Sequence, residues 1–186
     1  MRRLELTPLP LAGLFRVTRK PVGDHRGQFT RLFCAQELAE VGWHTAVAQI
    51  NLSHTHEMGS VRGLHFQHPP HAENKLVTCL QGEVWDVALD LRAGSPTFMK
   101  WHAERLSADN HHALLIPAGF AHGFQTLGAH TTLLYCHSHT HTPDHEGGVH
   151  PNDPGVQVDW PLPVQHLSVR DAAWPRLSPQ FTGLSV

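Results

Sequence analysis

Residues 61–77, VRGLHFQHPPHAENKLV, concentrate side chains that do chemistry. His65, His68 and His71 stand with Glu73 and Lys75 in one short span. Two chemistries would use such a set. Imidazole and carboxylate together hold a transition metal. Histidine beside Arg62 and Lys75 would instead move a proton on an anionic substrate. Histidine number alone decides nothing, because the chain has 18 of them, spread from His25 to His166. The neighbours of each one carry the argument.

The elements that must position these residues read as strands. Fourteen prolines and 15 glycines punctuate short apolar runs, the pattern of an all-β sandwich or barrel. The clearest hairpin is predicted over 75–91, KLVTCLQGEVWDVALDL, with Gln81-Gly82 at its turn. After that turn Trp85, Val87, Leu89 and Leu91 face one way, and Val84, Asp86, Ala88 and Asp90 the other. Further strands are read in LFRVTRKP, GQFTRLF, AVAQINLSHT, VRGLHFQ, TFMKWHAERL, HHALLIP, GFQTLG and HTTLLYCHS. A helix is predicted over 35–42 and a helical turn over 169–173. Residues 142–154 form a long loop of the kind that often carries function. About ten short strands without βαβ alternation imply a jelly roll, two antiparallel sheets around a ligand site.

Length and charge narrow the class. The 186 residues suit one domain, read as 1–186, with a full core. Sixteen acidic and 14 basic side chains leave a formal charge of -2, which argues against a nucleic-acid partner. Many histidines also make solubility sensitive between about pH 5 and 7. Cys34, Cys79 and Cys136 match no metal or disulfide framework and read as free thiols. The opening MRRLELTPLPLAGLF lacks an apolar signal core, and no run approaches a membrane span. The expectation is a soluble cytoplasmic protein with no membrane partner.

The metal-binding form of this barrel, the cupin, carries a Gly followed by His-x-His and Glu, and later Pro-x-Gly-x-x-His. Gly59 with His65, and Pro117-Ala-Gly119-Phe-Ala-His122, resemble these motifs. The second histidine of the first motif is here Gln67, a poor ligand for a transition metal. His68 has the wrong parity, His71 lies beyond Pro69-Pro70, and Glu73 falls late. His65 and His122 alone make a weak site. The expectation is no catalytic metal, with exposed histidines able to take up stray nickel or zinc.

Several motifs in register resemble the dTDP-4-dehydrorhamnose 3,5-epimerase family, a metal-free branch of the cupin-like jelly rolls. They are GDHRGQF (23–29), QIN (49–51), VRGLHFQ-x-P-P-x-A-x-x-KLV, G-x-V-x-D-V-A-x-DLR-x-GSPTF (82–98), IPAGFAHGF (116–124), and NDP followed by DWP (152–161). The likeness runs over 15–161 and resumes near Asp171. It implies a cofactor-independent epimerase of a nucleotide-linked 4-keto-6-deoxy sugar. A base removes a proton beside the ketone and the opposite face is reprotonated, at carbon 3, carbon 5 or both. It also implies a homodimer in which a strand or the Phe29 region crosses between subunits.

Roles follow from the chemistry and the likeness together. Proton abstraction calls for a base of the histidine type, and His65 is the candidate. The family places a carboxylate at Asp171, forming a His-Asp dyad. Lys75 is the candidate to stabilise the enolate, a job whose loss costs about 2.7–4 kcal/mol. Tyr135, the one tyrosine of the chain, matches the family's acid on the second face. Arg26, Arg62 and Arg170 suit diphosphate or keto-sugar oxygens. Gln49, Asn51 and His122 match ligand contacts, and Phe29 would pack against the ligand. Plainer readings exist for each. His65 could be a hydrogen-bonded core histidine and Tyr135 a core aromatic. Asp171 could belong to a helix start near Ser168, and Lys75 could be an edge charge. Strict alternation also puts Arg62 and His65 on opposite faces, so both reach one pocket only if Gly63 permits a bulge.

The chain departs from the family at its periphery. Arg31 replaces a glutamate at a ligand-binding position. CHSHTH (136–141) replaces KTTDYY, so His141 stands where an aromatic stacks on the base. EGGVHPNDP (146–154) keeps Glu146 but puts Gly147, His150 and Pro151 where the family has two arginines and a tryptophan. A different nucleotide, a different deoxysugar or a single epimerised carbon all remain open. So do two other activities on the same scaffold, a 3,4-ketoisomerase and a non-catalytic sugar- or metal-binding cupin.

Overall fold

Apolar residues on alternate positions build two facing sheets, in a computed structural model that describes residues 2–186. Thirteen strands follow in chain order. They are β1 (Leu4–Pro8), β2 (Phe15–Arg19), β3 (Val22–Asp24), β4 (Gly27–Phe29), β5 (Gln49–Thr55), β6 (Val61–Gln67) and β7 (Lys75–Gln81). Then come β8 (Glu83–Asp90), β9 (Trp101–Ser107), β10 (His112–Ile116), β11 (Phe120–Thr126), β12 (Thr131–His137) and β13 (Glu146–Gly148). One antiparallel sheet has the order β1-β2-β10-β7-β12-β5 and the other β13-β6-β11-β8-β9. A separate ribbon pairs β3 with β4. This is the all-β, cupin-like jelly roll expected from the sequence. Its helices are short, α1 (Ala35–Ala39) and α2 (Val169–Ala172).

Three apolar layers hold the sheets. Between them lie Val77, Cys79, Val84, Ala88, Leu114 and Leu133. Behind the five-stranded sheet, Val87, Leu89 and Leu91 pack under Val149, Val156 and Leu184. Behind the six-stranded sheet, Leu76, Ala113 and Leu115 pack under Leu38 and Trp43, which follow from α1 and its exit. The alternation read along β8 is therefore right, but both of its faces are covered. Asp86 and Asp90 are buried on a strand that is otherwise mostly apolar.

Several sequence expectations need correction. Residues 75–91 are not a hairpin, because β7 and β8 belong to different sheets. Gly82, at φ +75°, turns a corner from one sheet to the other, and a Cβ there would meet Thr131 at 2.6 Å. A short Gly-containing link between apolar runs looks alike whether the chain folds back or changes sheet. β1 was not expected, because Pro8 and Pro10 mask it. It pairs on one side with β2 and ends at Pro8, an edge position that proline tolerates. The strand read in GQFTRLF stops at Phe29, and the helix read over 35–42 stops at Ala39. The loop over 142–154 contains a 3₁₀ turn, Pro143–His145, and the short β13. The turn read over 169–173 is α2.

Candidate active site

The cavity between the sheets has a volume of about 270 Å³, and most of the expected residues meet there. β6 supplies Arg62 and His65, β7 Lys75, β11 His122, and β12 Tyr135. Asn51 comes from edge strand β5, Glu146 from β13, and Arg170 from α2. His141 lies on the loop that follows β12. Gln49 stands at the rim, donating to Asn51 and accepting from the His141 backbone N–H at 3.0 Å each.

The parity conflict between Arg62 and His65 is resolved at Gly63. In the β6–β11 ladder His65 faces His122, yet Arg62 faces Phe124, so the register slips between them. Gly63 has φ +116°, and a Cβ on it would sit 2.6 Å from the Gly123 Cα and 2.7 Å from the His122 carbonyl oxygen. Only glycine fits that turn of the backbone. The bulge re-aims one side chain so that both reach the cavity.

His65 Nε2 donates to Asp171 Oδ1 at 2.6 Å. That leaves Nδ1 with its lone pair for another proton. Asp171 is 3% exposed. Burial pushes its carboxyl up, but His65, together with hydrogen bonds from Ser168 and the Gly63 backbone, holds it below the usual carboxylate range. Ser168 caps α2 by accepting from the Asp171 backbone N–H at 3.0 Å. The helix-start reading of Asp171 is thus also true, and it explains the orientation. The cap fixes the backbone, which frees the side chain for His65. The Trp174 ring closes the outer side of His65 at 6.0 Å between centroids.

Tyr135 lines the cavity on the opposing sheet, its ring 5.9 Å from that of His122 and 5.9 Å from that of His137. Burial raises its hydroxyl above the ordinary tyrosine value, and the Asp86 charge adds to this while Arg62 opposes it. The phenol therefore keeps its proton firmly. Lys75 is only 7% exposed, which excludes the edge-charge reading. Its Nζ donates to the His65 carbonyl at 3.2 Å and meets Glu73 Oε1 at 3.1 Å. Burial pushes Glu73 up, but His137 and Lys75 prevail and hold it down as a carboxylate. Arg170 and His141 both converge on Glu146 Oε2, at 2.9 and 3.2 Å.

The structure adds residues that the sequence reading missed. His122 Nε2 lies 3.0 Å from both oxygens of Asp86, which is fully buried. Burial raises the Asp86 carboxyl, against the pull of His122. Its signal was available: an aspartate between Val84 and Ala88 on an inward strand face. Glu73 was weighed only as a metal ligand, and Gln67 as a failed ligand and a polar neighbour of His65. Gln67 instead ties the site together, donating to Glu73 and the His71 carbonyl and accepting from the Thr142 N–H. Its amide is engaged on both sides. His137 is a further wall residue for which the sequence offered no signal beyond its parity with Tyr135.

Three expected ligand contacts do not reach this cavity within the chain. Arg31 is bound by Glu37 Oε1 at 2.5 Å, a carboxylate that also accepts from the Arg3 and Leu4 backbone N–H groups. A cation in place of the family glutamate therefore serves as an anchor of α1. Arg26 pairs with Asp24 at 2.7 Å, and Phe29 is 69% exposed on the β3–β4 ribbon. Both line a separate surface hollow.

A sequence profile of the dTDP-4-dehydrorhamnose 3,5-epimerase family matches residues 8–179. The dTDP-4-dehydrorhamnose 3,5-epimerase of Sinorhizobium fredii is 39% identical over 174 residues, 91% of this chain and 87% of that protein. The dTDP-4-dehydrorhamnose 3-epimerase of Streptomyces niveus is 40% identical over 169 residues, 90% and 81% of the two chains. Among solved structures, the dTDP-4-dehydrorhamnose 3,5-epimerase of Bacillus anthracis, with TDP and PPi bound, superposes with a TM-score of 0.90 at 39% identity. That match covers 94% of this chain and 99% of the other.

Proposed function

The chain belongs to the dTDP-4-dehydrorhamnose 3,5-epimerase family, and we propose that this cavity is where it epimerises a nucleotide-linked 4-keto-6-deoxy sugar. The chain is an isomerase, and its chemistry is proton transfer beside a ketone. The observation that carries the assignment to this cavity is His65, held by the buried Asp171, on one wall with Tyr135 on the other.

His65 Nδ1 takes the proton from the carbon next to the ketone, and the electron pair moves to the carbonyl oxygen. Asp171, held as a carboxylate, stabilises the imidazolium that forms. Lys75 and the His122–Asp86 pair supply donors and charge near the enolate oxygen. Tyr135 returns a proton to the opposite face, which inverts the carbon; its phenolate then takes a proton from water and His65 gives its proton to water, which restores both groups. A raised tyrosine suits this order, since it arrives protonated. Arg62 and Arg170 face the open mouth and suit the diphosphate.

The relatives differ in name between 3,5- and 3-epimerases, so the number of inverted carbons is the finer question. Incubation with a 4-keto-6-deoxy nucleotide sugar in heavy water reads it directly. Deuterium at carbons 3 and 5 marks both epimerisations, and deuterium at carbon 3 alone marks one. No exchange with thymidine, uridine, cytidine or guanosine diphosphate sugars would overturn the proposal.

The exposed Phe29 (69%), Ile50 (62%) and Leu52 (63%) support a homodimer. In it the β3–β4 ribbon, with Arg26 and Phe29, reaches the partner's cavity. Light scattering of the protein and of Leu52→Glu tests this, with a dimer expected for the first and a monomer for the second. Residues 1–186 act as one domain. The free thiols of Cys34, Cys79 and Cys136 support a reducing, cytoplasmic setting. No helix among the described residues is long and apolar enough to cross a membrane.

A further inference from the structure

Outside the cavity, His54, His56 and His130 bring their ring nitrogens together at the exposed end of β5, with ligand atoms all within 4.8 Å of one another. We propose that these three histidines form a binding site for a late first-row divalent metal of the zinc class, which clamps edge strand β5 to the turn before β12.

The placement follows from the ladder. His54 lies opposite Thr132 in the β5–β12 pairing, on the outer face of the sheet. The His130 N–H donates to the His56 carbonyl at 3.0 Å and carries the pairing one step past the strand end. His130 sits at φ +52°, a conformation that turns its side chain back over β5. Ring centroids are 4.8 Å apart for His54 and His56, 5.8 Å for His56 and His130, and 6.1 Å for His54 and His130.

The donor chemistry fits. His54 Nδ1 is 2.8 Å from Thr132 Oγ1, so its Nε2 is the nitrogen left for a metal. A second-sphere hydrogen bond of this kind orients a ligating imidazole. Three imidazoles with water in a fourth position are a zinc set, and copper or nickel would bind the same nitrogens. Tetrahedral zinc at about 2.0–2.1 Å from each nitrogen spaces them about 3.3 Å apart. Closing about 1.5 Å is within the swing of exposed imidazoles on their two torsions.

The site is separate from the epimerisation chemistry. None of the three histidines lines the cavity, which β5 borders through Asn51, Leu52 and Ser53. One link joins them, a 3.5 Å contact from Arg62 Nη2 to the His54 carbonyl. The metal would thus stiffen the rim of the cavity and leave the reacting atoms untouched.

Chelator-stripped, untagged full-length protein is titrated with Zn2+ by calorimetry and with Co2+ by visible absorption. One metal per chain is expected, with the intense bands of low-coordinate Co2+ and a rise in Tm on Zn2+ addition. His54→Asn, His56→Asn and His130→Asn should each abolish both signals. Asparagine keeps polarity and accepts the positive φ at 130. Thr132→Val, which leaves all three ligands in place, should weaken binding about 10–100-fold. His71→Asn with His139→Asn, in the other histidine cluster (ring centroids 5.0 Å apart), should bind as the wild type does. Absence of stoichiometric binding, or loss of it in the His71/His139 variant with retention in the three single variants, would overturn the site.

Discussion

Replacing Asp171 by asparagine tests the proposed base most sharply. The change removes one charge and almost no volume. It leaves the backbone N–H that Ser168 caps, so α2 should keep its place. In the wild type the carboxylate lies 2.6 Å from His65 Nε2, 5% exposed on its side chain against 25% for the histidine. Once His65 has taken the substrate proton, its charge centre and that of Asp171 are about 4 Å apart. At an effective dielectric of about 20 that attraction is worth about 4 kcal/mol. A neutral amide recovers about 1 kcal/mol as an ordinary hydrogen bond. The barrier should therefore rise by about 3 kcal/mol, a loss of about 150-fold in kcat with KM nearly unchanged. Solvent-deuterium incorporation, followed by mass spectrometry, gives the rate at each carbon. A cycle with His65→Ala adds a second constraint. If the two residues act as one unit, the double variant is hardly slower than His65→Ala alone. A folded Asp171→Asn protein that exchanges within threefold of wild type would refute the reasoning. So would a loss confined to KM, or full multiplicativity in the cycle.

Other outcomes follow from the same geometry. Gly63→Ala should cost about 2–5 kcal/mol, from strain at φ +116° plus a Cβ 2.6 Å from the Gly123 Cα, read as a lowered denaturant midpoint. Tyr135→Phe should spare exchange on the face served by His65 while blocking inversion, so deuterium enters without epimer product. Glu37 bears on acid stability. Burial raises its carboxyl, but the Leu4 and Arg3 N–H groups and Arg31 draw it down to about 2, from 4.5. A depressed carboxyl stabilises the fold fully above its unfolded value and loses that contribution as pH falls through the folded one. Wild type should thus exceed Glu37→Gln in urea midpoint at pH 7, with the gap closing between about pH 4.5 and 2. A gap that persists at pH 2 would contradict the linkage.

Local pattern carried the sequence reading a long way. Period-two apolar runs between glycines and prolines specify strands, and strands without intervening helices specify a sandwich. His65, Lys75, Tyr135 and His122 were legible because each is a polar side chain on a strand that otherwise packs, and a family likeness tied them to one reaction. The Arg62–His65 conflict was legible as well, down to the glycine that had to resolve it. Pairing partners were not. The run over 75–91 reads the same as a hairpin or as a sheet-to-sheet corner, because alternation says which way a side chain faces and not which strand lies beside it. Asp86 illustrates the limit: its parity was visible, but its partner His122 is 36 residues away. Arg31 shows the converse, since the motif that marked it as a ligand position gave no sign of Glu37, with which it pairs inside the chain. His54, His56 and His130 are ordinary in a chain with 18 histidines, and only the β5–β12 register sets them side by side. The sequence by itself determined residue types and facing, which are set by covalent geometry within a few residues. The tertiary structure alone decided which faces meet, because that depends on the burial and hydrogen bonding of the whole chain at once.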